Sequence, residues 1–316
     1  MSRVRELSEK LVANSEHVKI NESRAYCIAQ FLRDFKLEIP NWDFDPCYPQ
    51  TDDFEEICLF YLIFNSINYC YFDQNYEKYF DPETGFSGST LAGFRLTNRW
   101  DEIRDPIFLS NVDENYFLNE LFGPISMVKE RVEALREIGN FINCNMDFTF
   151  DKLFCKYHHD AYLISQSIPV LLPTWRDPFA KRSQLFTGMV YGKFQNSKEQ
   201  PISKESLKNL TAFADYRVPQ TLIAMGIIEI STSLLNKISL RNELGTGSRM
   251  ELDLRAATVL GADALTEAFR NIRQEDLNIL HTDFLLWNTR RNREQMPSGV
   301  FVHNWLDHHL TITTDY

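Results

Sequence analysis

The chain has 316 residues, 44% hydrophobic and 24% charged, which is enough apolar material for one large core or two smaller ones. Lys and Arg number 33 against 44 Asp and Glu, and the resulting net charge of −11 repels a long polyanion such as duplex DNA while leaving room for a small anion in a local basic pocket. The six cysteines (Cys27, Cys47, Cys58, Cys70, Cys144, Cys155) form no CxxC pair, so neither a zinc site nor a disulfide framework is expected, and they read as buried thiols of a reducing compartment.

From the first residues, Met1-Ser-Arg-Val-Arg-Glu-Leu is charged and has no apolar core of a signal peptide, so the expected location is cytoplasmic. Val4, Leu7 and Leu11, then Ala25, Ile28, Leu32 and Phe35, recur at three- and four-residue spacing and predict helix faces. Asp52 with Glu55 resembles a capping box ahead of the run Ile57–Phe64. That run is far short of the roughly 20 residues that cross a bilayer, so it predicts a core helix and no membrane partner. Residues 73–100 are rich in turn formers. Val128, Val132, Leu135 and Ile138 predict a helix that Gly139 is placed to end, and Asp177-Pro178 predicts a cap and first helical position. Residues 194–203 form a polar loop, the best place for an internal subdivision of a single domain covering 1–316. Leu207, Leu210 and Phe213 suggest a further helix that breaks near Val218-Pro219, with Gly226 a candidate left-handed end for the next. Period-two alternation is confined to Ile228-Glu-Ile230 and Leu310-Thr-Ile312. The expected fold is mainly α, a compact multi-helix arrangement with at most short strands.

The stretch Phe213-Ala-Asp-Tyr-Arg-Val-Pro-Gln220 puts an acid, a phenol and a guanidinium together at this junction. Backbone N–H groups at a helix start are unpaired, and a carboxylate there is held in a fixed direction. On pattern alone, Asp215 is either a cap paired with Arg217 or a directed catalytic acid, and caps are the commoner of the two.

The same stretch resembles the Ala-Asp-Tyr-Arg-[Val/Ile]-Pro-Gln signature of the queuosine salvage family, whose members hydrolyse the N-glycosidic bond of queuosine 5′-phosphate. Further segments are similar in the family's order: Asn65-Ser-Ile-Asn-Tyr-Cys-Tyr-Phe72, Lys181-Arg-Ser-Gln184, Gly247 to Ala256, Asp283-Phe-Leu-Leu-Trp287 and the pair His308-His309. Three positions depart from the pattern. Phe72 replaces a tryptophan and Ser183 an alanine, both mild changes, whereas Met189 stands where an acid is usual.

The resemblance implies a fold related to helical DNA glycosylases and a cofactor-free, metal-free hydrolase that releases queuine and ribose 5-phosphate, so that queuine is salvaged for tRNA. Breaking a ribosyl C–N bond builds oxocarbenium-like charge on the sugar, which a carboxylate stabilises as nucleophile or as base for water. Asp215 is the residue for that role. Queuine is a 7-deazaguanine with carbon at position 7, so protonation there is closed and more of the work falls on the ribosyl side. Tyr216 and Phe72 are candidates to stack on the base and Asn68 to hydrogen-bond it. Lys181 and Arg182 are candidates for the phosphate, Arg217 for orienting Asp215 or reaching the phosphate, and His309 for a further substrate contact. Most aromatics of the Asn65–Phe72 segment are equally well read as core, Lys181-Arg182 as a solvated pair, and Glu251 with Arg255 as an i, i+4 salt bridge. The competing function is a non-catalytic protein that binds a modified nucleoside or base.

Overall fold

The computed structural model describes residues 2–72, 77 and 79–316. Among them, the α-helices of six or more residues are α1 (Arg3–Ala13), α2 (Glu22–Phe31), α3 (Phe54–Ser66), α4 (Gly88–Asn98), α5 (Pro106–Asn111), α6 (Val128–Cys144), α7 (Phe150–Lys156), α8 (Ala161–Leu171), α9 (Lys181–Phe194), α10 (Val218–Ala224), α11 (Thr232–Ser239), α12 (Arg249–Arg273) and α13 (Ile279–Thr289). The strands are β1 (Val18–Ile20) and β2 (Ile228–Ile230), so the fold is mainly α as expected. None of the described helices is long and apolar enough to cross a membrane. The turn-rich expectation for 73–100 lies partly outside the described residues; its later part is α4.

The chain divides into two units. One comprises Met1–Ile39 with Glu205–Ile312, the other Pro40–Lys204 with Thr313–Tyr316.

In the second unit α3 is the axis. Its residues from Ile57 to Ser66 are buried except Leu59, so it is apolar nearly all round and needs cover on every side; α6, α7 and α9 supply it. Its cap is Asp53, whose side chain accepts the Glu56 N–H at 2.8 Å, one residue later than the Asp52–Glu55 box expected. Glu55 instead accepts the Phe150 and Asp151 N–H groups, both at 2.8 Å, and so serves the start of α7. Gly139 does not end a helix. It lies inside α6, where a Cβ would sit 2.7 Å from the Pro106 carbonyl oxygen, so the missing side chain lets α5 cross α6 at close range.

In the first unit the 25-residue α12 is packed by α1, α2, α10 and α13. Arg5 on α1 forks onto Asp263 of α12, at 2.8 and 3.1 Å. β1 pairs antiparallel with β2, Val18 opposite Ile230 and Ile20 opposite Ile228, which realises the Ile228–Ile230 strand. Leu310–Ile312 is not a strand; the Leu310 carbonyl takes the Leu244 N–H and the Ile312 carbonyl the Thr246 hydroxyl. Nor do Leu207, Leu210 and Phe213 share a helix face. A short 3₁₀ turn covers Lys204–Asn209 and residues 210–215 run without regular structure, all three side chains buried. Gly226, at φ 75°, follows α10 in the left-handed conformation expected there. Of the cysteines, Cys47, Cys58 and Cys70 are buried thiols, whereas Cys27, Cys144 and Cys155 are exposed, against expectation.

Candidate active site

The irregular segment 210–215 has a high backbone demand, because buried N–H and C=O groups outside helices need partners from side chains. Two helices supply them. Asp283 of α13 accepts the Phe213 N–H at 2.8 Å, and Arg255 of α12 donates from Nε to the Ala214 carbonyl at 3.1 Å, both within the buried interior. Arg255 is also ion-paired to Glu251 at 3.6 Å, with both side chains closed to solvent, which realises the expected i, i+4 bridge. The Asp215 N–H then turns back onto the Phe213 carbonyl at 2.6 Å. Beyond the turn, Gln220 of α10 donates to the Leu306 carbonyl and Thr221 to the Leu286 carbonyl at 2.9 Å. The backbone is therefore tied on both sides of Asp215.

Asp215 uses one oxygen for the helix and leaves the other. Oδ1 accepts the N–H of Arg217 at 2.7 Å and of Val218 at 2.9 Å, the first open donors of α10, with Pro219 in the first turn needing none. Oδ2 has no hydrogen-bond or ion-pair partner among the described residues, and the residue is part-exposed. The expected Asp215–Arg217 ion pair does not form. The Arg217 guanidinium lies instead over the Trp287 ring, 5.2 Å from its centroid, and Arg291 also lies over that ring, at 4.7 Å.

Tyr216 and His308 meet ring to ring, with centroids 5.0 Å apart and planes at 43°. Burial, then the positive charges of Arg290 and Arg217, pull the His308 imidazole down to about 4. Burial, then His308 and Arg255, take His309 down to about 3. Both are neutral at pH 7. His309 is 3% exposed, and the His308-His309 pair belongs to a packed segment rather than a solvated tail. The structure thus gathers Asp215, Tyr216, Arg217 and His309 into one region of the first unit.

The other sequence-derived residues belong to the second unit. Asn68, 7% exposed, donates to Asn65 Oδ1 at 3.3 Å and accepts the Tyr71 hydroxyl at 3.1 Å, while Asn65 donates to the Tyr61 carbonyl at 2.9 Å and to the Met189 sulfur at 3.2 Å. Met189, in the place of an acid, is therefore a buried acceptor for an amide. Phe72 is buried, and its carbonyl accepts the Ser126 N–H at 3.1 Å and hydroxyl at 2.6 Å. Lys181 and Arg182 are 5% and 1% exposed, so they are not a solvated pair. Arg182 donates to the Thr174 carbonyl and lies over the rings of Tyr69 and Trp175, 5.2 and 5.3 Å from the centroids. Tyr69 has Arg131 on it as well, at 4.3 Å, and burial pushes its phenol up to about 12. Lys181 is the first residue of α9. Asp177 takes the Phe179 and Lys181 N–H groups at 3.0 and 2.8 Å, and Ala180, left-handed at φ 52°, precedes the helix where Pro178 was expected to open it.

The residues that reading the sequence missed are Asp283 and Arg255 as clamps on the Asp215 segment, and Arg290. The run Arg290-Arg291-Asn-Arg293 in a chain of net charge −11 was the available signal for the last. Among the described residues no three His, Cys, Asp or Glu side chains converge in a metal-binding group.

Comparison with known proteins places this geometry in context. A protein 25% identical, from Sphaerobacter thermophilus, aligns over 98% of this chain and 96% of its own length and is named queuosine 5′-phosphate N-glycosylase/hydrolase. The proteins of that name from Dictyostelium discoideum (25% identical, 100% of this chain, 99% of its own) and Schizosaccharomyces pombe (23%, 91% of each) match similarly. The family model described as queuosine salvage protein matches residues 47–314, which take in parts of both units and every candidate residue above, and the chain belongs to the queuosine salvage protein family.

Proposed function

We propose that this protein hydrolyses the N-glycosidic bond of queuosine 5′-phosphate, releasing queuine and ribose 5-phosphate. The observation that carries the reading is Asp215, with Oδ1 locked by two backbone N–H groups and Oδ2 unengaged. Such a carboxylate is oriented before substrate arrives, so it meets developing positive charge without reorganising. As the C–N bond lengthens, its electron pair leaves with the base and the sugar becomes oxocarbenium-like. Oδ2 stabilises that charge and either bonds to the anomeric carbon or takes a proton from the attacking water; the water's oxygen ends on C1 and a proton on the departing base. The names of the relatives, which align over nearly the whole chain, support the substrate.

Tyr216, Arg217 and His309 border this carboxylate's segment and are proposed substrate contacts. Asn68, Phe72, Lys181 and Arg182 are further proposed substrate contacts. A cytoplasmic location is part of this reading, and exclusion of duplex nucleic acid goes with the net charge of −11.

Incubating the protein and its Asp215→Asn variant with queuosine 5′-phosphate, and following queuine by chromatography, tests the reading. Release by the wild type and near loss in a folded variant that still binds substrate is the expected result. A wild type that binds but releases nothing would leave a non-catalytic binding protein.

A further inference from the structure

Resting on the reading of Asn68 and Phe72 as substrate contacts, we propose that Arg131 is a positioning residue for them: its guanidinium sets the backbone of residues 67–72, and with it the contacts offered to the queuine base. Residues 67–71 follow α3 without regular structure, and every residue from Ile67 to Phe72 is buried. Carbonyls in such a segment need donors from elsewhere. Arg131, near the start of α6 and itself 0% exposed, supplies them. Nη1 donates to the Ile67 carbonyl, Nη2 to those of Tyr69 at 2.6 Å and Cys70 at 3.0 Å, and Nε to that of Ser126 at 3.2 Å. Ser126 in turn holds the far end of the segment, its N–H and hydroxyl both donating to the Phe72 carbonyl.

At Cys70 this backbone is held against its own preference. Its φ of 39° is left-handed, a conformation that residues with a side chain seldom adopt and that persists where the surroundings enforce it. Here they do so from both sides: Arg131 takes the Cys70 carbonyl, and the Tyr316 carbonyl takes the Cys70 N–H at 3.1 Å. The flat face of the guanidinium is used as well, 4.3 Å from the centroid of the Tyr69 ring and 5.5 Å from that of Tyr71. Among the described residues, the side-chain hydrogen bonds of Arg131 all go to backbone carbonyls, so its fork is spent on shaping this segment rather than on an ion pair. Closed to solvent and with its donors engaged, Arg131 acts through its neighbours and not on a ligand. Asn68 lies between two of the clamped carbonyls; it gives one amide N–H to Asn65 and keeps the other for a ligand. A lysine presents its donors from a single point and does not span three carbonyls.

The test compares the full-length wild type with Arg131→Lys, Ser126→Ala and Gly139→Ala, the last a disruptive change on the same helix where it faces α5, each at a temperature where circular dichroism shows it folded. Calorimetry reads the binding of queuine and, separately, of ribose 5-phosphate, and kinetics read kcat/KM for queuosine 5′-phosphate. Arg131→Lys is expected to weaken queuine about 10–100-fold, as misplacement of positioned groups does, and to lower kcat/KM similarly. Ser126→Ala is expected to weaken queuine about 3–10-fold, for the loss of one hydrogen bond. Ribose 5-phosphate affinity shifts less than about threefold in both, and Gly139→Ala leaves queuine binding close to wild type. Queuine affinity unchanged in folded Arg131→Lys and Ser126→Ala, an equal loss in Gly139→Ala, or no queuine binding by the wild type overturns the assignment. If Arg131→Lys does not fold, Ser126→Ala decides. Because queuine binding is read apart from turnover, a wild type that binds queuine in this Arg131-dependent way yet releases none from queuosine 5′-phosphate sinks the glycosidase reading and leaves the positioning role standing.

Discussion

Asp177 and Asp215 both serve the starts of helices, and they do so differently. Asp177 divides its carboxylate, Oδ1 taking the Phe179 N–H and Oδ2 the Lys181 N–H, so both oxygens are spent on the backbone ahead of α9. Asp215 gathers the N–H groups of Arg217 and Val218 on Oδ1 alone. One oxygen does the work of a cap, and the second is left for something else. Capping and catalysis are thus not alternatives at Asp215. The backbone bonds that would mark it as structural are what aim its other oxygen.

Asp215→Asn is expected to lower queuine release about 10²–10⁴-fold, the range for a positioned acid/base or electrostatic group, because the amide still accepts the two N–H groups at its oxygen but puts a neutral NH₂ where Oδ2 stood. Kinetics on folded variant decide it. Asp283→Ala leaves the buried Phe213 N–H without its acceptor and is expected to destabilise by about 1–3 kcal/mol in denaturant titrations, with kcat falling more than KM rises as the Asp215 segment loosens. Gly139→Ala pushes a methyl into the α5 backbone and is expected to cost about 1–3 kcal/mol of stability while the rate per folded molecule stays close to wild type. Asp177→Asn acts at the start of α9. Its expected loss is about 0.5–2 kcal/mol of stability with release changed less than about tenfold; a loss as deep as that of Asp215→Asn would erase the distinction between the two aspartates.

The smallest effect is on the pH dependence of stability. His308 and His309 titrate at about 4 and about 3 in the folded protein, below the ordinary 6.5. On acidification the unfolded chain takes up those protons first. Their contribution to stability is present above about pH 6.5 and drains as pH falls through the folded values. Thermal melts are expected to show Tm dropping between pH 7 and pH 5, and dropping less in His309→Gln.

Where the sequence spoke for itself, the signal was local and redundant. Ile57–Phe64 is too apolar to be anything but a core helix, and Val218-Pro219 could only open one. Errors came where tertiary contacts decided. Gly139 reads as a stop until α5 is known to cross it, and Leu207, Leu210 and Phe213 hold helical spacing in a segment whose backbone is tied by Asp283 and Arg255 instead. Ala180 in a left-handed conformation is a choice no propensity would make, and it shifted the start of α9 by three residues. At the site, Asp215 stands out as a candidate through the motif around it. Its two-against-none division of hydrogen bonds was not, because spacing does not say which oxygen faces the backbone.

The first unit is built from the two ends of the chain, and its β1–β2 pair joins Ile20 to Ile228. During synthesis the second unit's main stretch, 40–204, leaves the ribosome whole, while α1, β1 and α2 wait with their apolar faces uncovered for α12 and β2. Closing a loop of roughly 200 residues adds entropy that grows only with the logarithm of length, so the wait is chiefly one of time and of exposure to wrong partners. Asp215 acquires its clamps only once Arg255 and Asp283 have emerged, which makes the candidate catalytic carboxylate among the last features of the molecule to mature.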